Sequence, residues 1–130
     1  MRFLLTFHGE MRWLVVLAAV VVALRSAYGW ARGRSFGKGD RVAMAVLTTL
    51  IDVNLLLGLV LLFRMPGGFP SYRLEHAVTM VIALLVAHSW MAWKRSEDSS
   101  LKFRNNLLVA LAVLVLIVLG VLRLRGAWVY

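Results

Sequence analysis

The chain has 130 residues, 62% of them hydrophobic, a formal net charge of +9 and no cysteine. A water-soluble domain of this length has too little interior to hide so much apolar side chain, so the composition demands lipid as solvent. The missing cysteine excludes a structural disulfide, a thiolate-held iron–sulfur cluster and covalent c-type haem attachment through Cys-x-x-Cys-His, and the basic residues flank apolar runs instead of forming a nucleic-acid patch.

Four apolar runs meet the length of about 17–25 residues that a spanning helix needs: Met11–Tyr28, Val42–Phe63, Leu74–Trp93 and Asn106–Leu124. The predicted fold is all-α, a single four-helix membrane domain occupying nearly the whole chain. Short loops between the runs gather nine basic residues on one side, among them Arg25, Arg34, Lys38, Lys94 and Arg95, against six on the other, among them Arg2, Arg64 and Arg123. The positive-inside rule makes the first side cytoplasmic and places both termini outside.

The first run follows a positive start, as in a secretory signal. Arg25 occupies the stretch where small uncharged residues would lead to a cleavage site, so a retained first helix is expected. His8 precedes this run by three positions. If the helix reaches back that far, Val15 and Ala19 lie beneath the imidazole at helical spacing. The alternative makes His8 an interfacial side chain beside Trp13, a headgroup anchor.

The loop GWARGRSFGKGDR is Gly- and Arg-rich. Its glycines do not form a nucleotide-binding fingerprint, because no strand precedes them and their spacing is wrong, so a topogenic loop touching lipid headgroups is expected. The second run carries Asp52 near its middle, with Thr48 and Thr49 one turn earlier, and a carboxyl at that depth is expected to face the bundle interior and be hydrogen-bonded. It is a candidate for structural hydrogen bonding or for proton handling. Asn54 lies about 200° away around the helix, on the opposite side, above Gly58.

MPGGFPSY then turns the chain. The third run holds His76 and His88, and ionisable residues inside a span are by default hypotheses about function. At about 1.5 Å rise per residue the two lie roughly 18 Å apart along the axis, rotated by about 120°, and so cannot share one ligand. Ala83 and Ala87 fall beneath His76, with Met80 close by, leaving room for a large flat ligand or, alternatively, a small-residue seam for a neighbouring helix. The first and third runs have the same direction, so His8 and His76 reach the same membrane face. Arg12 or Arg73 there could pair with an acidic ligand edge, and Glu75 could orient an imidazole N–H. The stretch LLVALAVLVLIVLGVL of the fourth run bears no polar side chain and is expected to supply packing or lipid contact. Trp128 and Tyr130 beyond it would complete an outer aromatic belt with Trp13 and Tyr72.

His8-x-x-x-x-Trp13, the run from Asp52 to Leu59, the Glu75-His76 pair and the closing Ala87-His88 together make the chain resemble small four-helix bacterial membrane proteins of a cytochrome b-like kind. Those proteins usually carry Gln where this chain has Asn54, and often end in Pro-Trp where this tail reads Arg-Gly-Ala-Trp. The resemblance implies haem b and a bacterial inner membrane, multi-pass. Its ligands are then His8 and His76 near the outer face, with His88 available to a second haem given another ligand. Electrons would pass to or from a quinol or a redox subunit, with Asp52 or Glu75 handling the proton. Two further classes remain open: a haem-free accessory subunit of a larger respiratory or photosynthetic complex, and a small transporter using Asp52, which would lack the inverted repeat of such folds.

Overall fold

A computed structural model describes residues 2–125. The expected aromatic anchors Trp128 and Tyr130 lie outside the described residues, as do the side chains of Arg123 and Arg125. The chain forms α1 (Arg2–Arg32), α2 (Lys38–Arg64), α3 (Ser71–His88) with a single 3₁₀ turn after it (Ser89–Ala92), and α4 (Ser99–Arg125). All four helices are long and apolar enough to cross a bilayer, which makes this a multi-pass membrane protein. Leu17, Leu24, Leu56, Leu85 and Val115 are exposed on their flanks, as a lipid-facing surface requires.

Helix neighbours follow chain order around the bundle. α4 packs extensively on both α1 and α3, α2 packs on α1, and the α2–α3 seam is the loosest. α1 and α3 are therefore diagonal partners across the interior. The end where α1 and α3 begin is called the upper end here, and the opposite end the lower.

Three boundaries differ from the sequence reading by five residues or more, one of them the start of α4 at Ser99, seven residues before Asn106. α1 begins nine residues before Met11, because Arg2, Glu10 and Arg12 dilute the hydropathy there without breaking the helical hydrogen-bond ladder. The α-helix of the third span stops at His88, not Trp93. The next four residues tighten into a 3₁₀ turn that buries Trp90, and Ser89 Oγ donates to the carbonyl of Val86 at 2.5 Å.

The core is concentrated towards the lower end. Along α1, Val15, Ala19, Val22, Ser26 and Gly29 are buried at steps of three and four, the stripe of an amphipathic helix. They meet Phe103, Asn106, Ala110 and Val113 of α4 and Met44 and Leu47 of α2. Gly29 is needed for the crossing, since a Cβ there would stand 2.5 Å from the Phe103 ring. The Gly- and Arg-rich loop folds inward instead of lying wholly among headgroups. Asp40, 5% exposed, accepts the N–H of Gly37 at 2.9 Å and pairs with Arg25 at 3.1 Å and Arg34 at 3.0 Å. Phe36 donates its N–H to Ser99 Oγ at 2.9 Å, and Trp93 donates Nε1–H to Asn106 Oδ1 at 2.8 Å.

Candidate functional site

The buried stripe of α2 runs through Met44, Leu47, Thr48 and Ile51 and resumes at Leu61. In that gap the bundle is hollow. A cavity of about 510 Å³ is lined by all four helices, within the range of about 300–1,000 Å³ typical of small-molecule and cofactor sites. Its walls are mostly aliphatic, among them Val15, Leu55, Leu59, Val113 and Ile117, with polar groups from His8, Arg12, Asn54, Tyr72, Arg73 and His76.

The extended α1 carries His8 within the helix, and parallel α3 delivers His76 to the same level. Their ring centroids are 6.5 Å apart and their planes stand at 87°. Edge-to-face ring pairs also adopt such separations, but a ring pair alone gives no reason for the cavity that both line.

Each imidazole rests against a glycine. A Cβ on Gly58 would come within 2.9 Å of His8 Cε1, and one on Gly120 would lie 3.4 Å from His76 Nδ1 while colliding with the end of Met80. The carbonyl of Gly120 is 2.8 Å from His76 Nδ1. A carbonyl can only accept, so the proton sits on Nδ1 and Nε2 keeps its lone pair. A backbone acceptor behind a histidine is a common way to fix the tautomer and orientation of a metal-ligating ring. The fourth helix thus contributes to the site after all, through its backbone. His8 Nδ1 and Asn54 Oδ1, by contrast, are buried without a close hydrogen-bond partner among the described residues, although Asn54 stands beside His8 and interacts with it.

The remaining sequence candidates divide. Ala83 lies on the cavity wall. Ala87 does not: it is fully buried in the closed core with Val22 and Trp90, because the cavity ends one turn above it. Arg12 and Arg73 reach the cavity rim. The Arg12 guanidinium lies 5.0 Å from the Trp13 ring centre, while Arg73 Nη1 also donates to the carbonyls of Pro66 and Gly68 at 2.9 and 3.3 Å, holding the α2–α3 turn. Glu75 is exposed, and the Gly120 carbonyl takes the acceptor role expected of it.

Asp52 does not face the interior. Its side chain is 45% exposed at the α2–α3 seam, where Oδ1 meets His88 Nε2 at 2.7 Å. The polar side chain of α2 that points into the bundle is Asn54. Thr48 donates to the carbonyls of Met44 and Ala45 within its own helix, and Thr49 is exposed. His88, about 18 Å from His76 along α3, has a carboxylate for a partner and no place on the cavity wall.

Among the described residues no cluster of three or more His, Cys, Asp or Glu side chains exists that could cage a bare metal ion. Two imidazoles suffice for a metal whose other positions are filled by its own macrocycle. Compared with protein-family models, curated proteins and solved structures, the chain matches none.

Proposed function

We propose that this chain is a b-type cytochrome-like electron-transfer protein or subunit that holds haem b in the upper cavity, between His8 and His76. The carrying observation is that these two imidazoles, from diagonal helices, stand 6.5 Å apart by ring centres on the wall of one cavity. A metal held by both rings, at the bond length of about 2.0–2.1 Å that imidazole makes to zinc, would need a separation of about this size. The Gly120 carbonyl holds the proton on Nδ1 of His76 and leaves Nε2 free to ligate. His8 would supply the second ligand, and Gly58 gives its ring the room.

Arg12 and Arg73, both at the rim, are the cations placed for an acidic edge of the ligand. When bound, the haem supplies a one-electron carrier whose potential its axial ligands and surroundings set. On the charge asymmetry of the loops, the upper end faces away from the cytoplasm of a bacterial inner membrane, where a quinol or a redox subunit serves as partner.

The test is spectroscopic. The purified chain in detergent should give a reduced-minus-oxidised haem b spectrum. His8→Ala and His76→Ala should each abolish it, while His88→Ala retains it. Full haem in both of the first two variants would overturn the ligand assignment. A colourless wild-type chain that co-purifies with a larger complex would establish the accessory-subunit reading instead.

A further inference from the structure

The Asp52–His88 pair is placed against the usual rule. Ionisable groups within a span normally face the bundle interior or a water-filled space, yet these side chains are 45% and 35% exposed on the lipid-facing seam between α2 and α3. Asp52 stands near the middle of the 27-residue α2, roughly 18–21 Å from either helix end. His88 closes α3, six residues before Lys94, so the pair lies inside the hydrocarbon layer of about 30 Å but towards its lower boundary.

The hydrogen-bonding capacity of the pair is not used up. One bond, between Asp52 Oδ1 and His88 Nε2, joins them; Asp52 Oδ2 and His88 Nδ1 take no partner among the described residues. Burial in hydrocarbon favours a pair without net charge. Aspartate with imidazolium, and aspartic acid donating through Oδ1 to neutral imidazole, both put a hydrogen on Nδ1 and leave Oδ2 as an acceptor, while aspartic acid carrying its hydrogen on Oδ2 reverses the two roles. In each the seam presents one donor beside one acceptor.

We propose that this pair binds the hydroxyl-bearing head of a lipid-soluble hydroquinone. A single ring hydroxyl satisfies both groups, accepting from one and donating to the other. A quinone carbonyl or an ether oxygen can only accept, and so answers half of the site. The ligand must also dissolve in hydrocarbon and carry its hydroxyl below the headgroup layer, which hydroquinones do and phospholipids do not. A second copy of the chain is a poorer match. The outward side chains flanking the pair include Val53, Leu56 and Leu85, and Thr49 is the nearest exposed hydroxyl on α2. This site is independent of the haem reading, because it lies about 18 Å along α3 from His76 and outside the upper cavity.

The experiment uses the full chain in lipid nanodiscs, titrated with decyl-hydroquinone kept reduced and with its dimethyl ether, empty nanodiscs being subtracted. Wild type should bind one hydroquinone per chain, at least about tenfold tighter than the ether, the effect of one good hydrogen bond. Removing one partner alone would strand the other, so the variant replaces both, Asp52→Leu with His88→Phe, a swap that a buried pair tolerates. It should bind hydroquinone and ether within about threefold of each other. His8→Ala should keep the wild-type discrimination even where it loses haem, which separates failure here from failure of the haem reading. Equal binding of both probes by wild type, or undiminished hydroquinone binding by the double variant, overturns the proposal. So does efficient Thr49→Cys disulfide cross-linking, in a chain with no native cysteine, that disappears in the double-variant background, since a second copy then covers the pair.

Discussion

At the lower end Asp40, Thr48 and Asn106 are buried and each is hydrogen-bonded, whereas at the upper end His8 Nδ1 and Asn54 Oδ1 are buried with no close hydrogen-bond partner among the described residues. The lower end is also filled: Phe103 lies 5.1 Å from Phe36 by ring centres and closes over Gly29, and Lys102 Nζ sits 4.9 Å above the Phe36 ring. The upper end encloses about 510 Å³. Interiors are normally close-packed, and buried polar groups are normally satisfied. Both rules hold at one end of the same four helices and fail together at the other. The lower end therefore holds the bundle together, and the upper end is where, among the described residues, packing and polar pairing are left incomplete.

The largest effect expected from this contrast is at Asp40. Asp40→Ala removes the carboxylate that caps α2 and pairs with Arg25 and Arg34. Losing one partner of a buried ion pair costs about 3–5 kcal/mol, and because both arginines are about two-fifths exposed the loss should fall nearer about 2–3 kcal/mol. Denaturation in mixed micelles followed by circular dichroism would measure it. A loss below about 0.5 kcal/mol, the size of a neutral surface change, would remove the lower end from its structural role.

A smaller effect, but a sharper comparison, comes from two alanines one turn apart on α3. Ala87→Leu forces extra volume into the closed core and should cost about 1–3 kcal/mol. Ala83→Leu grows into the cavity and should cost under about 1 kcal/mol, while displacing whatever the cavity binds. Equal losses at the two positions would mean that the cavity is not open to added volume.

The four spans and the arrival of His8 and His76 at one level were legible, because hydropathy reports lipid exposure and helix direction fixes which termini share a face. The choice between Asp52 and Asn54 was not. Two residues apart on a helix, they lie on nearly opposite sides, so one had to face inward. What decides it is His88, 36 positions away in the chain, which captures the carboxylate at the seam. Gly120 was illegible for another reason. Every residue has a backbone carbonyl, and a lone glycine in an aliphatic run does not announce that His76 will approach its backbone. Asp40 was hidden by its neighbours: in a loop so rich in arginine a single acid reads as a solvated charge until the loop folds over it. Ala87 followed Ala83 in the helical pattern, and spacing cannot say where along that stripe a cavity stops.

The same substitution at two asparagines gives the subtlest test of the contrast. Asn106→Leu at the lower end takes away the acceptor of the Trp93 Nε1–H bond. The stranded donor, held in a region with little water, should cost about 1–3 kcal/mol. Asn54→Leu at the upper end removes a buried oxygen that has no close hydrogen-bond partner among the described residues to lose, and its new methyls face a largely aliphatic wall. In the ligand-free chain it should be neutral or stabilising by up to about 1 kcal/mol, since replacing an unsatisfied polar group by an apolar one of similar shape relieves its desolvation. The two variants, unfolded side by side in the same micelles, should therefore differ in sign or nearly so. A substantial loss at both positions would mean that Asn54 is already satisfied in the ligand-free protein, and the upper end would then have to be regarded as finished in the same sense as the lower.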